Sequence, residues 1–211
     1  MIRHGGDVII LFARAPELGR VKTRLAQEIG DAAALAAYQE LGRTCWSNAV
    51  AARSTLGGRA LVAYTPHDGE ASVRAWLSGA DAYMAQQSGD LGQRMLSAIT
   101  LALSDGAGQV VVIGSDCPTL SERVLLDAFA ALDRADVVIG PATDGGYYLI
   151  GMSRARDVLF ADVPWSSALT LRVTMDRAHA AGLRVAKLQP LSDVDTADDW
   201  CAWRSRARQE M

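Results

Sequence analysis

The sequence predicts a single α/β domain: a Rossmann-type sandwich with a mostly parallel central sheet and helices on both faces. Three observations support this prediction. Apolar runs of strand length alternate with longer helical patterns along all 211 residues, 50% of the residues are hydrophobic, and no repeat or linker divides the chain. Such alternation is typical of βαβ units, whose parallel strands are covered by helices.

Seven apolar runs have strand length and end at polar or turn-forming residues: 7–13, 59–65, 82–87, 109–113, 136–140, 147–151 and 183–188. The third run is the weakest, and the fourth is fully apolar apart from its first residue, as expected of a buried central strand. The fifth and sixth runs are joined by a Thr-Asp-Gly-Gly turn, which favours a hairpin. This pair predicts an antiparallel insertion in the sheet.

Five segments have the Ala- and Leu-rich spacing of helices: 31–53, 91–103, 121–134, 167–181 and 196–208. Asp31 and Ser121 are placed to cap the amino-terminal ends of their helices. Gly182 is placed to end the fourth helix.

Composition excludes several classes of function. The net charge of −3 disfavours a nucleic-acid partner, and no apolar run approaches the roughly 18 residues of a membrane span. The start of the chain, Met1 to Asp7, leads directly into the first strand without the apolar core of a signal peptide, so we expect a cytoplasmic protein. Three widely spaced cysteines argue against a disulfide framework or a zinc site.

Four polar patches follow apolar strands: Arg14 to Arg24, Gly114 to Pro118, Thr143 to Gly146 and Asp193 to Thr196. In an open α/β sheet, ligands bind outside the carboxyl ends of the strands, where such loops converge. One basic patch and three acidic patches at that edge predict a metal-assisted diphosphate site. The pattern favours a transferase that handles nucleotides.

The first patch carries four cations within eleven positions: Arg14, Arg20, Lys22 and Arg24. A loop between a strand and a helix is a common phosphate site, because the helix amino terminus offers free N–H groups. Val21 stands where a Walker A loop needs glycine, so this is a different kind of loop. A solvated basic loop is the alternative interpretation.

Each acidic patch has both a functional and a structural interpretation. Asp116 ends the central strand and could hold Mg²⁺ or Mn²⁺, which take one or two carboxylates plus phosphates and water. Asp195 could complete that site, whereas Thr196 and Asp199 resemble a capping box. Asp144 is a candidate base toward an acceptor, although Asp-Gly also favours a turn for backbone reasons alone.

Together the patches resemble the bacterial family DUF2064, whose members are often described as glycosyltransferases. The resemblance spans nearly the whole chain and rests on motifs at 12–25, 89–95, 114–118, 144–151, 164–167 and 193–196. It implies the GT-A fold of nucleotide-diphospho-sugar transferases, with Asp116 and Asp195 on the metal and Lys22 and Asp144 in catalysis. The nucleotide-binding residues that it implies are Arg14, Gly19, Lys22, Arg24, Asp90, Gly92, Arg94 and Ser115.

Three hypotheses for the function follow. The first is transfer of a sugar from a nucleotide-diphosphate donor to a small acceptor, with Mg²⁺ or Mn²⁺. The second is nucleotidyl transfer to a phosphorylated acceptor. Many glycosyltransferases of this fold have an Asp-x-Asp motif, whereas this chain has Gly114 in place of the first acid, and a single acid is closer to the nucleotidyltransferases. The third is nucleotide sensing without turnover. The oligomeric state stays open, with a homodimer as one option.

Overall fold

The computed structural model describes residues 6–209 of the chain. The amino-terminal stretch Met1 to Asp7, for which we predicted no signal peptide, lies largely outside these residues. Within them, seven strands form one sheet: β1 Val8–Arg14, β2 Arg59–Thr65, β3 Ala82–Ala85, β4 Val110–Ile113, β5 Val137–Pro141, β6 Tyr147–Met152 and β7 Val185–Lys187. All seven predicted strands are confirmed, with small shifts at their ends.

The strand order across the sheet is β3-β2-β1-β4-β6-β5-β7. β6 is antiparallel to both β4 and β5, and every other neighbouring pair is parallel. This is the predicted mostly parallel sheet with one antiparallel insertion. Because β1, β4, β5 and β7 run in the same direction, the loops that follow them all leave the sheet at one edge.

Over the same described residues, seven α-helices cover the sheet: α1 Thr23–Ile29, α2 Asp31–Leu56, α3 Glu70–Trp76, α4 Leu91–Ser104, α5 Glu122–Leu132, α6 Thr170–Ala180 and α7 Ala197–Gln209. Alternate side chains of each strand point to opposite faces. Ile9 and Leu11 therefore join a core with α2, α3 and α5, while Val8 and Ile10 join a second core with α4 and α6. Helices lie on both faces, as predicted.

The helix predictions need two corrections. α1 and α3 were not predicted; each has seven residues, too few for a clear apolar stripe. Asp31 is the first residue of α2 rather than its cap, and Gly30 occupies the cap position with a φ of 83°. Glycine is suited to that backbone conformation, which allows α2 to begin directly after α1. Ser121 does cap α5, because its Oγ accepts a hydrogen bond from Val124 N.

In the described part of the chain, no helix combines the length and the apolar character needed to cross a lipid bilayer, and this includes the 26-residue α2. The three cysteines are free; Cys45 and Cys117 are buried and Cys201 is exposed.

Candidate functional site

The four polar patches meet at the carboxyl edge of the sheet, as predicted. The segment after β7 is bonded to the other two acidic loops there. Val194 N donates a hydrogen bond to the carbonyl oxygen of Asp116 at 3.0 Å, and Thr143 N donates to the carbonyl oxygen of Leu191 at 3.0 Å. Residues that are far apart in sequence therefore share one site.

Lys22 lies at the centre of this site between two carboxylates. Its Nζ is 3.1 Å from Asp116 Oδ2 and 2.8 Å from Asp195 Oδ1. The lysine side chain is only 5% exposed, whereas the Asp116 and Asp195 side chains are 39% and 44% exposed. The structure thus brings the predicted catalytic cation and both predicted metal ligands together.

Backbone geometry and charge both hold Lys22 in place. The residue caps α1 in a left-handed conformation, with φ 48° and ψ 47°. A non-glycine residue rarely adopts this conformation, and such local strain is common at functional sites. Burial favours the neutral amine, but the charges of Asp116 and Asp195 and their hydrogen bonds outweigh burial and raise the pKa of Lys22. The side chain is therefore an ammonium ion at neutral pH.

A cavity of about 330 Å³ opens beside this cluster. We call it the cationic cavity, because its lining residues include Arg14, Arg20, Lys22 and Arg94. Ser115 and Asp116 also line it. Four positive charges around one small cavity suit an anion such as a diphosphate. The predicted nucleotide-binding residues Arg14, Lys22, Arg94 and Ser115 are thus assembled in one place.

Tyr38 and Gln86 also line the cationic cavity, and the sequence did not predict either of them as a site residue. Tyr38 Oη accepts a hydrogen bond from Arg14 N and donates one to the carbonyl oxygen of Arg14, both at 2.9 Å. Burial, followed by the charge of Asp116, raises the pKa of Tyr38 well above its usual value. Gln86 Nε2 donates to the carbonyl oxygen of Ala63 at 2.9 Å. Both side chains stabilise strand ends, and neither carries a local sequence signal that separates it from ordinary helix or loop residues.

Four other predicted nucleotide-binding residues have different positions or contacts. Arg24 is exposed on α1 and is not among the residues lining the cationic cavity. Gly19 forms the turn of the basic loop with a φ of 71°. Asp90 caps α4 in a reciprocal capping box with Gln93. Gly92 is buried, and a Cβ there would lie 2.3 Å from the ring of Trp165.

The turn interpretation of Asp144 is confirmed, and its role as a base stays a prediction. Its Oδ1 accepts a hydrogen bond from Gly146 N at 2.8 Å, so it does form the turn after β5. It also lines a second cavity, together with Asp193. Burial, followed by the charges of Asp116 and Asp144, raises the pKa of Asp193 to about 7. Asp193 was part of a predicted patch, but the sequence gave no reason to prefer it to Asp195.

The capping interpretation of the last patch is confirmed. Asp199 N donates to Thr196 Oγ1 at 3.2 Å, and Thr196 N donates to Asp199 Oδ2 at 2.9 Å. This reciprocal pair begins α7 immediately after Asp195. Asp195 itself is left to contact Lys22.

Asp116 and Asp195 are oxygen donors of the kind that a magnesium or manganese ion takes, and the metal site stays a prediction. Both side chains converge on one positive charge, that of Lys22, and both remain partly open to solvent. Among the described residues, no group of three or more His, Cys, Asp or Glu side chains forms a metal cage. Mg²⁺ usually needs no such cage, because it takes one or two carboxylates and completes its shell with substrate phosphates and water.

Several solved structures with a similar fold are described as transferases or synthases that act on nucleotides or nucleotide-diphospho-sugars. A protein from Desulfovibrio desulfuricans G20, provisionally assigned as a nucleotide-diphospho-sugar transferase, is 34% identical with a TM-score of 0.83; the match covers 90% of this chain and 82% of that one. The 4-diphosphocytidyl-2C-methyl-D-erythritol synthase of Anaerococcus prevotii DSM 20548 is 13% identical, with a TM-score of 0.62 over 97% and 99% of the chains. A nucleotidyl transferase from Methanothermobacter thermautotroptrophicus is 17% identical, with a TM-score of 0.62 over 98% and 99%.

The chain therefore has the fold of nucleotide-using transferases. The model of the family DUF2064, described as uncharacterized protein conserved in bacteria, matches residues 48–167. With this match and the 34% identity to the Desulfovibrio protein, the chain belongs to DUF2064. The predicted family and fold are confirmed. No curated protein matches the chain at a significant level.

Proposed function

We propose that this protein is a metal-dependent glycosyltransferase, which moves a sugar from a nucleotide-diphosphate donor to a small acceptor. One observation carries the proposal: the buried ammonium of Lys22 contacts both Asp116 and Asp195 beside a cavity lined by three arginines. This arrangement supports the proposal, because positive charge beside the cavity could stabilise the negative charge that develops on a diphosphate leaving group. Stabilisation of such charge is usually the largest contribution to catalysis of this kind.

The donor would bind with its diphosphate in the cationic cavity. Arg14, Arg20 and Arg94 line the cavity and can form charge-assisted hydrogen bonds to phosphate oxygens. Arg94 is oriented by a hydrogen bond from its Nε to the carbonyl oxygen of Gly89 at 2.8 Å, which leaves its terminal nitrogens for a ligand. Ser115 can add a neutral donor at the same wall.

Asp116 and Asp195 would hold the Mg²⁺ or Mn²⁺. The metal, when bound, supplies further neutralisation of the diphosphate. The same two carboxylates keep Lys22 protonated, so that the chain itself contributes a fixed positive charge next to the donor. Asp144 would accept the proton of the acceptor, because its carboxylate is exposed on the turn at the same edge of the sheet.

Nucleotidyl transfer is the second candidate function. It is favoured by the single acid of Gly114-Ser115-Asp116 in place of Asp-x-Asp, and it is the activity of fold neighbours that share 13% and 17% identity. Both reactions need the same charge arrangement. They differ in the leaving group, which is a nucleoside diphosphate in glycosyl transfer and pyrophosphate in nucleotidyl transfer.

The experiment is to incubate the protein with a panel of nucleotide sugars or nucleoside triphosphates and Mn²⁺, and to quantify both leaving groups. We expect nucleoside diphosphate from at least one nucleotide sugar. Asp116→Asn should abolish its release, and Arg24→Gln should serve as the matched control, since Arg24 is exposed outside the cationic cavity. Pyrophosphate alone would establish the second candidate, and nucleotide binding without either product would indicate a sensor.

A further inference from the structure

A second cavity, of about 210 Å³, lies next to the cationic cavity. Phe12 and Leu91 line both, so the two cavities adjoin along these side chains. The remaining walls come largely from Met95 of α4, Tyr147 of β6 and Trp165 of the loop before α6. We call it the aromatic cavity. Its volume is below the ~300–1,000 Å³ of sites for drug-sized ligands, so its occupant is small.

The charge of the aromatic cavity is opposite to that of its neighbour. Asp144 and Asp193 line it, and no Lys, Arg or His is found among the described residues of its wall. A phosphate or carboxylate bound there would face the Asp144 carboxylate, and no cation in the described part of the wall compensates for it. Moving an anion out of water into such a place is strongly unfavourable.

The walls of the aromatic cavity are held in place before any ligand binds. Trp165 packs edge-on to Tyr147 with ring centroids 6.3 Å apart, and stacks on Phe160 at 6.4 Å. The loop that carries Trp165 is fixed by two hydrogen bonds to the carbonyl oxygen of Pro164: one from Ser167 Oγ at 2.7 Å and one from Thr170 Oγ1 at 2.8 Å. A preformed cavity binds a rigid apolar group with little ordering cost.

We propose that the aromatic cavity is the acceptor site, and that the acceptor is a non-anionic alcohol with a small apolar or aromatic body. This inference rests on the proposed glycosyl transfer and specifies its substrate class. The apolar body would fill the cavity, and the hydroxyl would lie at the acidic end beside Asp144. The inference also opposes a phosphorylated acceptor, which the nucleotidyl-transfer alternative requires.

The transfer step balances without any further reactant. The acceptor oxygen forms a bond to the anomeric carbon of the donor sugar, while the bond from that carbon to the diphosphate oxygen breaks. The nucleoside diphosphate leaves with the bonding electrons, and the hydroxyl proton passes to the Asp144 carboxylate.

A matched set of three acceptors tests the inference: 1,4-benzenedimethanol, its monophosphate, and glycerol. Each is added to the protein with the best nucleotide sugar and Mn²⁺, and nucleoside diphosphate release is compared with donor hydrolysis alone. We expect the aromatic diol to stimulate release by about tenfold or more over glycerol, and the monophosphate to have no effect. Equal or greater stimulation by the monophosphate or by glycerol overturns the inference.

Two variants on α4 test whether the diol acts by binding in the aromatic cavity. Met95→Phe adds volume to the wall of the aromatic cavity, whereas Leu101→Phe makes the same kind of change at an exposed position of the same helix. Met95→Phe should raise the KM for the diol by about tenfold. The Kd of Met95→Phe for the donor, measured by calorimetry, should be unchanged. An unchanged Kd shows that the variant is folded. The inference is overturned if Leu101→Phe raises the KM as much.

The two proposals fail in different ways. If donor is bound and hydrolysed but the monophosphate is the better acceptor, the acceptor inference fails and glycosyl transfer stands. If no nucleoside diphosphate is released from any donor, with or without an acceptor, glycosyl transfer fails, and direct calorimetric titration of the protein with the diol and its monophosphate still tests the cavity. Tighter binding of the diol then supports its proposed chemistry, and tighter binding of the monophosphate refutes it.

Discussion

Replacing Lys22 by methionine tests the charge arrangement on which the site depends. Methionine is also a long unbranched side chain, so Lys22→Met keeps most of the packing of a residue that is 5% exposed. It removes the positive charge between Asp116 and Asp195. The two carboxylates then face each other without a cation.

The contact distances set the size of the effect. Both carboxylate oxygens contact Lys22 Nζ, at 3.1 and 2.8 Å, so these oxygens are at most about 6 Å apart. The coupling itself is the attraction between Lys22 and Asp195, and opposite charges at ~2.8 Å attract by about 1.5 kcal/mol in water. Because both acids are partly exposed, we expect a coupling between Lys22 and Asp195 of about 1–2 kcal/mol. The loss of stability in Lys22→Met is partly offset, because the variant no longer has to bury an ammonium ion, which costs free energy.

A double-mutant cycle measures this coupling directly. The free energy of unfolding in urea is determined for the wild type, Lys22→Met, Asp195→Asn and the double variant, without added metal. Lys187→Met is the matched control, because Lys187 is the only other lysine of the chain and is exposed at the end of β7. Free energies that add to within about 0.3 kcal/mol would refute the reasoning.

Three further predictions concern stability and the interpretation of individual residues. Asp90→Ala should lower the free energy of unfolding by about 1 kcal/mol through loss of the cap of α4, and calorimetry should give an unchanged donor Kd. Gly92→Ala should cost about 1–3 kcal/mol in urea unfolding, since the new methyl group meets a tryptophan ring, whereas Gly114→Ala should be nearly neutral in free space. A hydrogen bond from Arg184 lowers the pKa of Asp136, so the ionised carboxylate stabilises the fold above the ordinary Asp pKa. This stabilisation is lost as the pH falls through the lowered pKa. In Asp136→Asn, the Tm should therefore change less with pH in the acidic range.

The sheet could be predicted from the sequence because each strand is a local signal. β4 is four consecutive β-branched residues followed by a glycine, and β5 and β6 flank an Asp-Gly turn. α1 carries no comparable signal. Its seven residues bury only Leu25 completely, and its basic positions are equally consistent with a loop. Tertiary packing, not propensity, forms this helix.

The acids and the lysine of the site could be predicted for a related reason. Asp116 follows a buried strand directly, and the carboxyl edge of a parallel sheet brings such residues together. Tyr38 could not be found this way, because its place on α2 matches the spacing of core residues. Asp193 and Asp195 are two residues apart in one patch and are both half-buried, and only the fold shows that Asp195 contacts Lys22 whereas Asp193 lines the aromatic cavity.

The separation of Lys22 and Asp195 by 173 positions has a consequence for synthesis on the ribosome. A nascent chain that has emerged only through β6 contains the central strands β1, β4 and β6, yet it lacks the carboxylate that Lys22 contacts on the segment after β7. The hydrogen bond from Val194 N to the carbonyl oxygen of Asp116 can likewise form only after the segment that follows β7 has been synthesised. Ligand binding that requires Asp195 would therefore distinguish finished polypeptides from those stalled earlier.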